Sequence, residues 1–101
     1  MKMKVTRSSG NVFKDLGFPA EEAEHLRVRS TLMIHLQKVI EARRLRQAEA
    51  ARLFGVTQPR VSNLLKGKID LFSVDTLINM LARAGVKVKI GFTRSKHRKV
   101  A

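Results

Sequence analysis

Residues 47–66, QAEAARLFGVTQPRVSNLLK, have the pattern of two short amphipathic helices joined by a glycine turn. This stretch constrains the fold more than any other, because several of its positions admit few residue types. Ala51 stands where the two helices cross closely, and Gly55 stands where the chain must leave the first helix with a positive φ. Thr57 is a suitable N-cap for the second helix, and Pro59 lies in its first turn, where a missing N–H costs little.

The second of these helices, which Gly67 ends, has an apolar face and a polar face. The apolar stripe has i, i+3, i+4 spacing and consists of Val61, Leu64 and Leu65. The opposite face carries Pro59, Ser62, Asn63 and Lys66. This polar face could enter a major groove of DNA. The alternative is an ordinary helical hairpin in a small bundle. DNA binding is favoured because the small residue, the glycine, the N-cap and the apolar stripe all occur at the expected spacing.

The chain is strongly basic, and its charge is concentrated at the two ends. It has 21 Lys and Arg against 8 Asp and Glu, which gives a net charge of +13. No acidic residue precedes Asp15, and none follows Asp75. Such termini suit a polyanion, because each phosphate that a cation neutralises releases counterions. A basic tail that merely keeps a small protein soluble is the alternative for the last residues.

Other classes of protein are disfavoured by what the sequence lacks. A length of 101 residues indicates one domain, and the absence of Cys excludes disulfides and Cys-based zinc sites. Apolar runs are only a few residues long and no signal peptide is visible, so we expect a cytoplasmic protein with no membrane partner. His25 and His35 fall on different faces of a helix, and no glycine-rich phosphate loop or Ser-His-Asp order is present. We therefore expect no metal, no cofactor and no enzymatic activity.

A long helix precedes the two-helix pattern. Pro19 opens it, and Glu21–Glu24 put acidic groups at the positive end of its dipole. The helix is expected to run to about Arg44. Three basic residues lie near its far end: Arg43, Arg44 and Arg46. They either stabilise the helix by interacting with the negative end of its dipole or contact phosphates, and the sequence leaves both readings open.

A last helix and a different periodicity follow the pattern. Ser73 is the predicted cap of a helix over residues 74–84, and Gly85 ends it. Residues 86–92 then alternate apolar and polar side chains, which predicts a half-buried β-strand. A lone strand leaves backbone groups unsatisfied, so it must pair with the N-terminal segment or with the same strand of a second subunit. The predicted fold is all-α, with four to five helices and this C-terminal strand.

Three motifs carry a family resemblance: LRQAEAA at 45–51, FGVTQ at 54–58 and VSNLLKG at 61–67. Together they resemble the Cro/CI-type (XRE) helix-turn-helix family. The lead-in NVFKDLGF at 11–18 looks like that of the HigA-like antitoxins, a branch often encoded beside small toxins. The resemblance implies a flexible basic N-terminus at 1–10, a DNA-binding domain at 11–92 and a basic tail at 93–101.

The resemblance also implies roles for single residues. Gln58 takes the first base-facing position, and Gln58 and Asn63 can each pair with two atoms of adenine. The residues expected to contact bases are Gln58, Pro59, Arg60, Ser62 and Asn63. Arg60 lies on the flank of the outward face, where it could reach either a guanine or the backbone. Those expected to contact phosphates are Arg46, Gln47, Thr57, Lys66 and Lys68.

Two positions depart from the family pattern. Arg46 stands where a small hydroxyl residue usually caps the first motif helix, so the usual cap is missing. Pro59 stands where a polar base-reading side chain is common, and it offers only apolar contact, for example to a thymine methyl group.

The sequence therefore predicts a repressor that binds a palindromic operator as a homodimer and autoregulates a toxin-antitoxin operon as its antitoxin. Its expected partners are double-stranded DNA, a second copy of the chain and a small toxin protein, which would contact the apolar segment from Val12 to Phe18. The alternative function is non-specific nucleic-acid or nucleoid binding driven by the basic termini.

Overall fold

A computed structural model describes residues 12–94, which form an all-helical arrangement. Its elements are α1 (Val12–Asp15), α2 (Ala20–Ala42), α3 (Gln47–Phe54), α4 (Gln58–Leu65), the 3-10 helix η1 (Ile69–Leu71) and α5 (Val74–Arg83). The all-α prediction is confirmed for this part of the chain. The predictions for residues 1–10, and those for 93–101 beyond Arg94, lie outside the described residues.

Helix α2 is the centre of the fold, with 23 residues that contain no internal Gly or Pro. It packs against α1, α4, η1 and α5. Its inward face is formed by Ala23, Leu26, Leu32, Met33, Leu36, Val39 and Ile40. This face is wide enough to include Leu32 and Val39, because neighbouring helices cover α2 on two sides.

Helix α2 ends at Ala42, two residues before the predicted end, because the chain reverses at Arg44. Arg44 has a φ of 53°, in the left-handed region. Its N–H donates to Glu41 O at 3.1 Å, and the Leu45 N–H donates to Ile40 O at 3.0 Å. This pair of bonds is the Schellman motif, in which the left-handed position is usually a glycine.

Helices α2 to α5 share one core around two buried phenylalanines. Phe54 at the end of α3 and Phe72 before α5 are each 1% exposed. In α4, Val61 and Leu64 are fully buried, whereas Leu65 is 40% exposed. The prediction that Leu65 faces inward is wrong, because this two-turn helix buries only the narrow stripe that its neighbours cover.

Three side chains of α2 donate hydrogen bonds to main-chain carbonyl groups of later elements. Gln37 Nε2 donates to Leu64 O at 2.8 Å, and Arg29 Nη1 donates to Ile69 O at 3.3 Å. At the far end, Arg43 Nη2 donates to Ala84 O at 3.0 Å. The Leu64 and Ala84 carbonyls lie at the ends of α4 and α5, where helical carbonyls have no partner within the helix. Helix α2 therefore orients both helices through directed bonds as well as through packing.

The predicted β-strand at 86–92 is absent from the described chain, where residues 86–94 have no regular secondary structure. Val86 and Val88 pack against the core, but Ile90 and Phe92 are 70% and 93% exposed. A strand needs a paired backbone, and residues 12–94 supply none beside this segment. The correction is therefore that residues 86–92 do not form a β-strand within the part of the chain that the structure describes.

We expect Arg44→Gly to stabilise the protein by about 1 kcal/mol, because glycine adopts the left-handed conformation without the cost that a Cβ atom brings. Urea unfolding measures this change. Lys38→Gly is the matched control, since it removes a long basic side chain at an exposed position inside α2 and should destabilise by about 1 kcal/mol. Destabilisation by both variants would contradict the assignment of Arg44 as the strained helix terminator.

Candidate nucleic-acid interface

The turn between α3 and α4 has the geometry that the sequence predicts. Gly55 ends α3 with φ 72° and ψ 35°, and the Val56 N–H donates to Ala51 O at 3.0 Å. A Cβ atom on Gly55 would collide with the Arg83 side chain, which lies over the turn. The left-handed backbone favours glycine here, whereas the exposed Arg83 side chain is flexible enough to move away from a Cβ atom.

The start of α3 is defined despite the missing hydroxyl cap at Arg46. Glu49, in the first turn of α3, accepts a hydrogen bond from the Arg46 backbone N–H at 2.8 Å. This is the glutamate half of a capping box, and the other half is absent because a guanidinium has no acceptor. The carboxylate also lies near the positive end of the α3 dipole, which favours it.

The start of α4 differs from the prediction in one detail. Thr57 holds the N-cap position with φ −83° and ψ 161°, but its side chain accepts no capping hydrogen bond. The Arg60 N–H, which such a cap would bind, donates to Thr57 O at 3.1 Å. Pro59 in the first turn has no N–H to satisfy, so α4 begins without a side-chain cap. The Thr57 hydroxyl is left unused by the helix.

Four of the five expected base-contacting residues lie on the outward side of α4. Gln58 and Pro59 are exposed, and Ser62 and Asn63 are half-buried. Within residues 12–94, the side-chain amides of Gln58 and Asn63 make no hydrogen bond with the protein. Their donors and acceptors are therefore available to base edges, which is what bidentate pairing with adenine requires.

Arg60, the fifth expected base-contacting residue, is turned toward the body of the domain. Its Nη1 donates to Leu71 O at 3.0 Å, and its guanidinium carbon lies 4.9 Å from the centroid of the Phe72 ring. The sequence places Arg60 on the flank of the outward face. The structure adds that Arg60 on this flank contacts Leu71 at the end of η1 and Phe72, which lies between η1 and α5.

The expected phosphate-contacting residues border the same surface. They lie at the starts of α3 and α4 and just after the end of α4, and all are exposed: Arg46, Gln47, Thr57, Lys66 and Lys68. From residue 46 to residue 68 the chain carries five basic side chains and one acidic side chain, Glu49, for a local charge of +4. A surface of this sign attracts the DNA backbone.

Other titratable groups lie away from this surface or are dispersed. On the exposed side of α2, Arg27 donates hydrogen bonds to both Glu24 carboxylate oxygens, at 3.1 and 2.6 Å, and these bonds lower the pKa of Glu24 below its usual value. No group of three or more His, Asp and Glu in residues 12–94 is arranged to hold a metal ion. None of the helices in the same range is long and apolar enough to cross a membrane.

The α2 residues that hold α4 and η1 were not identifiable from the sequence. Gln37 and Arg29 bind carbonyl groups 27 and 40 residues further along the chain. A side-chain bond to a distant main-chain carbonyl leaves no pattern of residue types, because every residue carries that carbonyl. In the sequence, both residues look like ordinary polar positions on α2.

Comparison with known proteins agrees with this geometry. A family model described as a helix-turn-helix domain matches residues 12–92. A solved structure of a protein assigned to the XRE family of transcriptional regulators is 34% identical in sequence and similar with a TM-score of 0.68, over 79% of this chain and 90% of that chain. No curated protein matches the sequence at a significant level. The chain therefore belongs to the XRE-type helix-turn-helix family of DNA-binding transcriptional regulators.

Proposed function

We propose that this protein is a sequence-specific repressor that inserts α4 into the major groove of its operator. The observation that carries the proposal is the pair of unengaged amides, Gln58 and Asn63, on a helix whose far end is anchored by Gln37. A base-reading side chain is selective only when its helix is held firmly, because a loose helix could adapt to other bases. Exposed basic residues on both sides of α4 would contact the phosphates.

The proposed repressor acts as a homodimer on a palindromic site, and the site controls its own operon. A single two-turn helix reads few base pairs, whereas two copies can meet successive major-groove faces about 34 Å apart. The segment 86–92 supports this state, because after Val86 its backbone is unpaired within residues 12–94 and Ile90 and Phe92 are exposed. Pairing with the same segment of a second copy would give these backbone groups hydrogen-bond partners and would bury the two apolar side chains. The outward Lys87 and Lys89 would oppose the addition of further strands to the sheet.

A second proposed function is that of an antitoxin that binds a small toxin protein through the segment from Val12 to Phe18. Helix α1 buries none of its residues, and Val12 and Leu16 are 59% and 70% exposed. The edge-to-face contact of Phe13 with Phe18, with centroids 6.2 Å apart, gives this segment a defined shape. An exposed apolar group on a small protein is a candidate contact for a partner.

For base reading, we expect Gln58→Ala and Asn63→Ala each to cost about 1–3 kcal/mol at the base pair that the residue contacts. Fluorescence anisotropy on the DNA upstream of the gene, with a scrambled duplex as competitor, measures the loss across about 50 to 300 mM salt. Asn79→Ala is the matched control, because Asn79 is exposed on α5. Equal binding of both duplexes, lost together as salt rises, would instead favour non-specific binding through the basic termini.

For the dimer, we expect Ile90→Glu to shift the protein toward monomer in sedimentation equilibrium, because the charge would be buried between two copies. Since Ile90 is 70% exposed in the single chain, circular dichroism should show an unchanged fold. Ile34→Glu serves as control, since Ile34 is 45% exposed on α2. A dimer that survives Ile90→Glu would place the contact elsewhere.

For the antitoxin, we expect Leu16→Asp to abolish protection when the protein is co-expressed with the toxic product of the neighbouring gene. The same variant should still bind the operator, because α1 packs mainly against α2 and serves a separate surface. Ile34→Asp should protect as the wild type does. Full protection by Leu16→Asp would remove this segment from toxin binding.

A further inference from the structure

Arg60 links the recognition helix to the corner of the fold where η1 meets α5. Its Nη1 donates to Leu71 O at 3.0 Å, and its guanidinium stacks over Phe72 with the central carbon 4.9 Å from the ring centroid. Phe72 is 1% exposed, so the ring is held by the core and cannot follow the arginine. The two contacts together define both the position and the tilt of the guanidinium plane.

A second arginine holds the other end of η1. Arg29, on α2, donates from Nη1 to Ile69 O at 3.3 Å, so arginines from two different helices bind the first and last carbonyl groups of this three-residue helix. Close packing holds this corner only in part: Phe72 is buried, but Leu71 is 45% exposed and a cleft of about 490 Å³ lies beside the corner. Where packing is lacking, η1 is held by the directed bonds from Arg29 and Arg60.

We propose that Arg60 is a positioning residue of the DNA-binding surface, which orients the first turn of α4 against η1 and α5, and that it is not a reader of bases. This inference rests on the proposed function of α4. To reach a guanine, Arg60 would have to leave both Leu71 O and the Phe72 ring. Gln58 lies in the same turn and Asn63 one turn further, so a tilt of α4 would displace both together.

Lysine cannot replace arginine in this role. A lysine keeps the positive charge, but its ammonium is a compact, strongly hydrated group that lacks a planar face to stack on a ring. The charge-conserving variant Arg60→Lys therefore separates orientation from electrostatics. A phosphate contact would survive this change in large part, whereas the stacked and directed contact would not.

The test compares Arg60→Lys and Arg60→Ala with the wild type on the operator and on duplexes that differ from it by single base pairs. For Arg60→Lys we expect affinity for the operator to fall about tenfold, in line with the loss of a stacked and hydrogen-bonded cation. Discrimination should weaken at the Gln58 and Asn63 base pairs together. The salt dependence of binding should stay that of the wild type in both variants, because Arg60 neutralises no phosphate.

Arg29→Lys is the control for a merely structural effect. It loosens η1 from α2 but leaves the bond from Arg60 to Leu71 O, so it should speed amide hydrogen exchange in η1 while discrimination between duplexes persists. In the DNA-free protein, Arg60→Lys should speed exchange in η1 and also in the first turn of α4.

Four results would overturn the proposal. A loss confined to one base pair would make Arg60 a base reader, and a salt slope lower by about 0.9 in Arg60→Ala would make it a phosphate contact. Wild-type behaviour of Arg60→Lys would show that the planar group is dispensable. Equal loss of discrimination in Arg29→Lys would reduce the effect to general loosening. Failure of the proposed function looks different: the wild type itself would not discriminate the operator, while the exchange difference in α4 would persist.

Discussion

The hydrogen bond from Gln37 to Leu64 O is the contact on which the DNA-binding surface depends. It joins the middle of α2 to the last turn of α4, at a distance of 2.8 Å, beside the fully buried side chain of Leu64. Burial of Leu64 excludes water from this region but has no direction, whereas the amide bond does. Packing therefore holds α4 on the core, and the bond from Gln37 determines where along α2 it ends.

Two left-handed residues determine where the next helices begin. Arg44 turns the chain out of α2, and Gly55 turns it out of α3. At Gly55 the left-handed conformation favours glycine, and a Cβ atom there would also displace the flexible end of the Arg83 side chain. At Arg44 a residue with a Cβ atom adopts the left-handed conformation, at some cost in energy.

Local rules explain which parts of the fold were predictable from the sequence. Gly55 and Ser73 were assigned correctly because a positive φ and a helix cap depend on the nearest few residues. Leu65 was assigned wrongly, and the capping bond of Thr57 was expected but is not made. Burial at Leu65 depends on which side of α4 its neighbours cover. In the site, the outward side of Ser62 and Asn63 followed from helical periodicity and that of Gln58 from the family resemblance, whereas the engagement of Arg60 with η1 depends on a tertiary contact.

The alternation after α5 predicted the packing of the first residues of this segment but not its secondary structure. Val86 and Val88 pack against the core and Lys87 and Lys89 are exposed, but Ile90 is exposed too. No strand forms within residues 12–94, because pairing requires a second segment that this range does not supply. The start of the segment is firmly attached: the Val86 N–H donates to Leu81 O at 2.9 Å, and Arg43 binds Ala84 O.

That attachment has a consequence for the proposed dimer. A second copy paired at residues 86–92 would be joined through α5 and Arg43 to α2, and through Gln37 to α4. The separation of two recognition helices would then be transmitted by helices and directed bonds, with no flexible linker between the dimer contact and α4. The α2 contacts that orient a single α4 would then also determine which spacing between half-sites the dimer accepts. Loss of the hydrogen bond from Gln37 would therefore lower selectivity for half-site spacing and for base sequence together.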